Sequence, residues 1–181
     1  MRYAEGPRVC CDVHIAADPS RVWALVTDIG LSARLSPELQ RVEWLDGAEE
    51  PAVGARFAGY NRHRMAGEWW TVSYVVRLEE RRVFGWAVTD PEGRYGDPAP
   101  DPAKPLATWR YELAPEGPGT RLRQLARIGP GRSGLNLVID RTPEREEQIV
   151  AFRLAELRTN MEATLYGIKA LAEEADRGLS G

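Results

Sequence analysis

Few side chains in this sequence have catalytic potential. His63 is one of only two histidines, and it stands two residues after Asn61. In a strand that spacing puts both on one face, where the imidazole could move a proton and the amide could hold an oxygen. Gln124 supplies a second amide. Arg153, Asn160 and Thr164 recur at intervals of seven and four, along one side of a helix. Donors of this kind stabilise a developing enolate or oxyanion, or orient a bound molecule without changing it. Each has a plainer reading. His63 sits between Arg62 and Arg64, which suits a solvated strand end. Arg153 suits a surface pair with Glu146 or Glu156, because a buried guanidinium is costly unless paired. The catalytic assignment stays open, with His63, Asn61 and Gln124 as candidates.

Other chemistries are poorly supported. Gly129 to Gly134 spells GxGxxG after a strand, but no βαβ unit follows to build a dinucleotide site, and the absence of Lys excludes a P-loop. The stretch reads as a flexible loop leading to the last helix. Adjacent Cys10 and Cys11 point to opposite faces of a strand and cannot easily join His14 on one ion, so no metal is expected. GxSxG is absent, which argues against a serine hydrolase. No cofactor is expected.

With 181 residues the chain suits one domain, 1–181, with an ordered core from about 8 to 175. Net charge is -3, from 24 basic and 27 acidic residues, which argues against a nucleic-acid partner. The apolar runs are too short for a membrane span, and the first residues lack a signal-peptide core. Two cysteines cannot build a disulfide framework, so a reducing, cytoplasmic setting is expected. Oligomeric state is open between monomer and homodimer. Six tryptophans stand beside three phenylalanines, and five of the six fall between Trp44 and Trp109.

The elements follow from periodicity. Val9 to Ile15 alternates as a half-buried strand, and Asp18-Pro19 starts a helix striped by Val22, Trp23, Val26 and Ile29. A short second helix covers about 31–35. Strands are predicted over 39–45, 55–63, 68–78, 82–89, 106–113 and 119–128, separated by turn residues and forming an antiparallel meander. The Pro-rich stretch 90–105 is a long connection and a candidate lid. Thr142-Pro143 opens the last helix, whose stripe is Val150, Leu154, Leu157, Met161, Leu165, Ile168 and Ala172.

Alternation assigns one apolar strand face. It carries Phe57, Asn61 and His63; Trp70, Val72, Tyr74 and Val76; Phe84, Trp86 and Val88; Trp109, Tyr111 and Leu113; and Leu122, Gln124 and Ala126. Trp69 falls on the opposite face, among the arginines. One wet face and one dry face imply a curved sheet covered by the last helix. The dry face is either a core filled by Trp and Tyr or an apolar pocket with a few convergent polar groups. The pocket would be lined by Phe57, Asn61, Trp70, Tyr74, Phe84, Trp86, Trp109, Tyr111 and Gln124 on the sheet. Arg153, Leu157, Asn160, Met161 and Thr164 would line it from the helix.

The order of elements resembles the START-like, or SRPBCC, superfamily with its helix-grip fold, and its polyketide cyclase/dehydrase-like branch in particular. The residues that carry the resemblance are Val13 to Trp23, Leu35-Ser36-Pro37-Glu38, Val53 to Phe57 followed by Asn61, Ala107 to Tyr111, and Asn160-Met161 through Leu165 to Lys169. The resemblance spans about Arg8 to Glu174. It implies an α+β domain, a curved antiparallel sheet of about seven strands around a long C-terminal helix, with two short helices after the first strand. It also implies a deep apolar cavity between sheet and helix. Three functions follow as expectations: binding of a small hydrophobic or aromatic molecule as carrier, sensor or accessory of secondary metabolism; a cofactor-independent cyclase or dehydratase; or a protein-interaction module with a filled core.

Overall fold

Asp18 accepts the Ser20 amide N–H, and Pro19 takes the first helical position, so the chain turns directly from β1 (Arg8–Ile15) into α1 (Pro19–Thr27). Asp28 repeats the device for α2 (Ile29–Leu35), accepting from the Leu31 N–H. Six strands follow: β2 (Leu39–Trp44), β3 (Arg56–His63), β4 (Gly67–Glu79), β5 (Val83–Thr89), β6 (Ala107–Glu116) and β7 (Gly119–Ile128). They pair antiparallel in the order β1-β7-β6-β5-β4-β3-β2. A short helix α3 (Gly134–Ile139) and a 3₁₀ turn (Pro143–Arg145) lead into α4 (Glu146–Arg177). This computed structural model describes residues 1–64, 66–96 and 101–177, with side chains described as far as Glu174. The seven-stranded sheet, the long last helix and the two short helices after β1 match the expected helix-grip α+β architecture.

The helix stripe predicted from sequence is buried: Val150, Leu157, Met161, Leu165, Ile168 and Ala172 enter the core, and Leu154 packs against it half-buried. Helix α4 lies closest to β1, with further packing on α1, α2, α3 and β7. Its polar side chains also cap the free edge of β1. Arg158 donates to the Cys10 carbonyl (3.3 Å), Lys169 donates to the His14 carbonyl (2.7 Å), and Glu173 accepts the Ala16 N–H (2.8 Å). A strand edge left open would be a template for pairing with another chain.

Two segments depart from the sequence reading. The stretch 129–134 is tied down: Tyr3 donates its hydroxyl to the Gly131 carbonyl, and the Gly131 N–H donates to the Pro105 carbonyl. A Cβ at Gly131 would collide with the Lys104 carbonyl, so this glycine serves packing and not phosphate contact. Ser133 then caps α3, a helix that the expected loop had left out.

The second departure is β4. Its register places Phe57 opposite Ser73, Gly59 opposite Thr71 and Asn61 opposite Trp69, so Trp69, Thr71, Ser73 and Val75 share the face toward α4. Trp70 and Tyr74, expected in the pocket, lie on the outer face, opposite Tyr60 and Arg56. A bulge between Val75 and Arg77 restores the phase, so that Leu78 again meets Phe84. The apolar character of Trp70, Val72 and Tyr74 is satisfied outside: Tyr60 stacks on Trp70, with Arg41 over the Tyr60 ring at 3.7 Å. The arginines of this outer face pair with neighbouring acids, as in Arg41–Glu43, Arg56–Asp46, Arg62–Glu68 and Arg121–Asp12.

In the Pro-rich connection, the Asp90 carboxylate accepts the N–H groups of Glu92 and Tyr95. Residues 97–100, where the lid expectation centres, lie outside the described residues. No helix among the described residues is long and apolar enough to cross a membrane.

Candidate functional site

The inner face of the sheet carries a continuous aromatic wall. Trp86 on β5 is its hub, with ring centroids at 5.1 Å from Phe84, 5.8 Å from Tyr111, 6.3 Å from Phe57 and 6.5 Å from Trp109. Trp44 extends it through an edge contact to Phe57 at 5.5 Å. The register explains why these rings meet: Trp86 pairs with Trp109, Phe84 with Tyr111, and Trp44 with Phe57. Phe57, Phe84 and Tyr111 are buried, whereas Trp44, Trp69, Trp86 and Trp109 are only half-buried although they face inward. Leu39, Val42, Asn61, Val88 and Ala107 on the same face are also half-buried. These inner-face side chains are therefore only incompletely covered by the rest of the chain.

The polar groups at this wall are mostly committed to protein partners. Tyr111 is 1% exposed; burial pushes its phenol up to about 12, against a smaller downward pull from the Ser32 hydrogen bond. Gln124 is buried beside it and donates to the Tyr111 hydroxyl at 3.3 Å, while among the described residues its Oε1 has no hydrogen-bond partner. Asn61 donates to the Gly59 carbonyl, and Thr164 donates to the Asn160 carbonyl within α4. Asn160 is half-buried, and Leu157 and Met161 are core residues.

His63 and Arg153 belong to one polar relay. Arg153 donates to both carboxylate oxygens of Glu38, at 2.7 and 2.9 Å, and lies 3.6 Å from Glu156. Glu156 in turn meets His63 Nε2 at 3.2 Å, and the Ala66 N–H points to His63 Nδ1 at 3.4 Å. Desolvation pulls the Arg153 guanidinium toward its neutral form, but the hydrogen bonds and charge of Glu38 and the charge of Glu156 outweigh it, and its pKa rises. A surface pair of Arg153 with Glu156 was anticipated from sequence; the bidentate partner Glu38 was not.

The structure therefore brings together Phe57, Phe84, Trp86, Trp109, Tyr111 and Gln124, as the alternation indicated, and removes Trp70 and Tyr74. Sequence reasoning missed Trp44 and Trp69 as wall residues and Glu38 and Glu156 as partners of Arg153 and His63. Val42 and Trp44 share a parity that marks the inner face of β2, so that signal was present. Among the described residues there is no group of three or more His, Cys, Asp or Glu side chains placed to hold a metal ion.

Residues 8–173 match the family described as polyketide cyclase / dehydrase and lipid transport. A polyketide cyclase-like protein of Corynebacterium glutamicum, solved by NMR, superposes with a TM-score of 0.60 at 29% identity, over 91% of this chain and 90% of that one. The di-domain ARO/CYC of the BE-7585A biosynthetic pathway superposes at 0.66 with 22% identity, over 92% of this chain and 50% of its own. For the di-domain ARO/CYC of the steffimycin pathway the values are 0.70, 13%, 93% and 51%. The chain thus spans about half of each di-domain protein. No curated protein matches.

Proposed function

The chain belongs to the polyketide cyclase / dehydrase and lipid transport family, and from that premise we propose that it binds a small hydrophobic or aromatic molecule between the aromatic wall and α4. The observation that carries this reading is the incomplete burial of Trp44, Trp69, Trp86 and Trp109 on a face turned toward the helix. Rings in near-parallel array, such as Trp86 and Trp109, offer a surface to a flat apolar ligand through dispersion and stacking. The site supplies few polar groups, which suits orientation of such a ligand.

A cofactor-independent cyclase or dehydratase is the second reading, favoured by the family description. Cyclisation could proceed in a pocket that folds a reactive chain and holds a developing oxyanion. Here the amides of Asn61 and Gln124 already bond to Gly59 and Tyr111, which favours binding, whereas the Glu156 carboxylate at His63 Nε2 is a pairing that orients an imidazole for proton transfer. In a cytoplasmic setting, the role would be that of a carrier or sensor.

Titration with the neutral fluorophore Nile red tests the reading. Saturable one-to-one binding with energy transfer from the wall tryptophans is expected. Emission that never saturates, or that is unchanged in a Trp109→Ala variant, would sink it.

A further inference from the structure

We propose that Glu38, Arg153, Glu156 and His63 form a strap that gates lateral access to the aromatic wall. The inference rests on the reading of that space as a ligand site. On one flank, α4 lies against β1 and β7 through the apolar seam of Leu157, Met161, Leu165 and Ile168. On the other flank, toward β2 and β3, Leu35 of α2 packs against Gly167 of α4, and nearer the start of α4 the connection is the polar relay. Glu38 is fixed to the sheet, since its carbonyl accepts the Arg62 N–H at 2.9 Å, and His63 closes the same strand. Arg153 and Glu156 stand three residues apart on α4 and reach across to both. The wall lies between the apolar seam and this polar bridge.

A seam of packed apolar side chains opens only by disturbing the core, whereas a bridge of side-chain tips opens by exchanging partners with water. All four side chains are 15–23% exposed, so water reaches them while they remain joined. The links are unequal. Arg153 and Glu38 share two short charge-assisted bonds, the stronger geometry; Glu156 and His63 share one contact at 3.2 Å. Opening therefore starts at the Glu156–His63 link, with α4 still held by its seam and by Glu38. The gate then changes the barrier to entry and exit more than it changes the bound state.

Stopped-flow mixing with Nile red tests the strap on the intact chain. Glu156→Gln and His63→Gln each weaken the same link, so either should raise the association and dissociation rate constants together, by up to about fivefold. The double variant should add little to the rates of either single one, because the Glu156–His63 link that they share is already lost in each. If rates are unchanged in both folded variants while wild type binds, the strap is refuted and the binding reading stands. A rise in the dissociation rate alone would make these residues ligand contacts and refute the gate. If wild type shows no saturable binding, the binding reading fails, and the gate with it. Should one variant not fold, the other reads the same link.

Discussion

The indoles of Trp86 and Trp109 face each other across β5 and β6, with centroids 6.5 Å apart and planes 8° from parallel. Trp86 is the more connected ring, touching Phe57, Phe84 and Tyr111 as well, whereas Trp109 has Trp86 as its aromatic neighbour. The pair therefore separates stability from binding.

Trp86→Ala should destabilise the fold by about 2–3 kcal/mol, near the lower end for loss of a large aromatic because the ring is half-exposed. Trp109→Ala should cost less stability and weaken Nile red binding by about tenfold or more, since it removes one face of the stack. Urea denaturation and equilibrium titration of the two variants check this. Equal stability losses with unchanged affinity would mean that the wall is core alone.

Tyr111 carries a pH signature. Its phenol is held up to about 12 by burial, above the value of 10 taken for an unfolded tyrosine. The folded state thus keeps its proton where the unfolded state loses it. The contribution is fully present below pH 10 and is lost as pH rises toward 12, at about 1.4 kcal/mol per pH unit. Tyr111→Phe should remove that slope. Because burial also raises Tyr3 and Tyr95, the check is the difference between wild-type and variant stability curves from pH 9 to 12.

Gln124 brings next to that hydroxyl a buried oxygen that has no hydrogen-bond partner among the described residues. Tyr111→Phe alone leaves the Gln124 amide without its acceptor and should cost about 1–2 kcal/mol. Adding Gln124→Leu removes both the stranded donor and the unpaired Oε1, so the double variant should be at least as stable as Tyr111→Phe. A double-mutant cycle in urea measures the coupling. Strict additivity would mean that the two side chains do not interact.

Much of this was legible in the sequence, and the exceptions share a cause. Asp18-Pro19, the stripe from Val150 to Ala172 and the strand parities of β3, β5, β6 and β7 each follow from local chemistry or from an undisturbed period. The face of β4 was not legible, because its inner positions are Thr71 and Ser73 and its outer ones Trp70, Val72 and Tyr74, the reverse of the usual polarity. Cross-strand partners decide that face, and the bulge at Val75/Arg77 hides the phase change from a count along one strand. Glu38 could not be found either: it meets Arg153 from 115 residues away, a relation that only folding creates.

Arg153 sits between two carboxylates at 23% side-chain exposure. Arg153→Met should destabilise by about 2 kcal/mol, less than a fully buried pair, because Glu38 and Glu156 are left facing each other without a cation. Adding Glu38→Gln should recover part of that loss. Thermal denaturation of the single and double variants checks it; a double variant less stable than Arg153→Met would contradict the pairing.

The cap on β1 gives a prediction about association. Arg158 and Lys169 occupy the outward carbonyls of Cys10 and His14, and the long side chains of α4 stand along the free edge of that strand. Replacing both with alanine leaves the apolar seam of the helix intact, so the loss of stability should be small, about 1 kcal/mol. The exposed edge should instead raise the tendency to pair with a second chain, because unpaired backbone groups on a strand template further pairing. Light scattering at rising concentration should show the double variant self-associating under conditions where the single variants and the parent do not. If its association matches the parent while its stability drops sharply, the two side chains hold the helix in place and do not guard the edge.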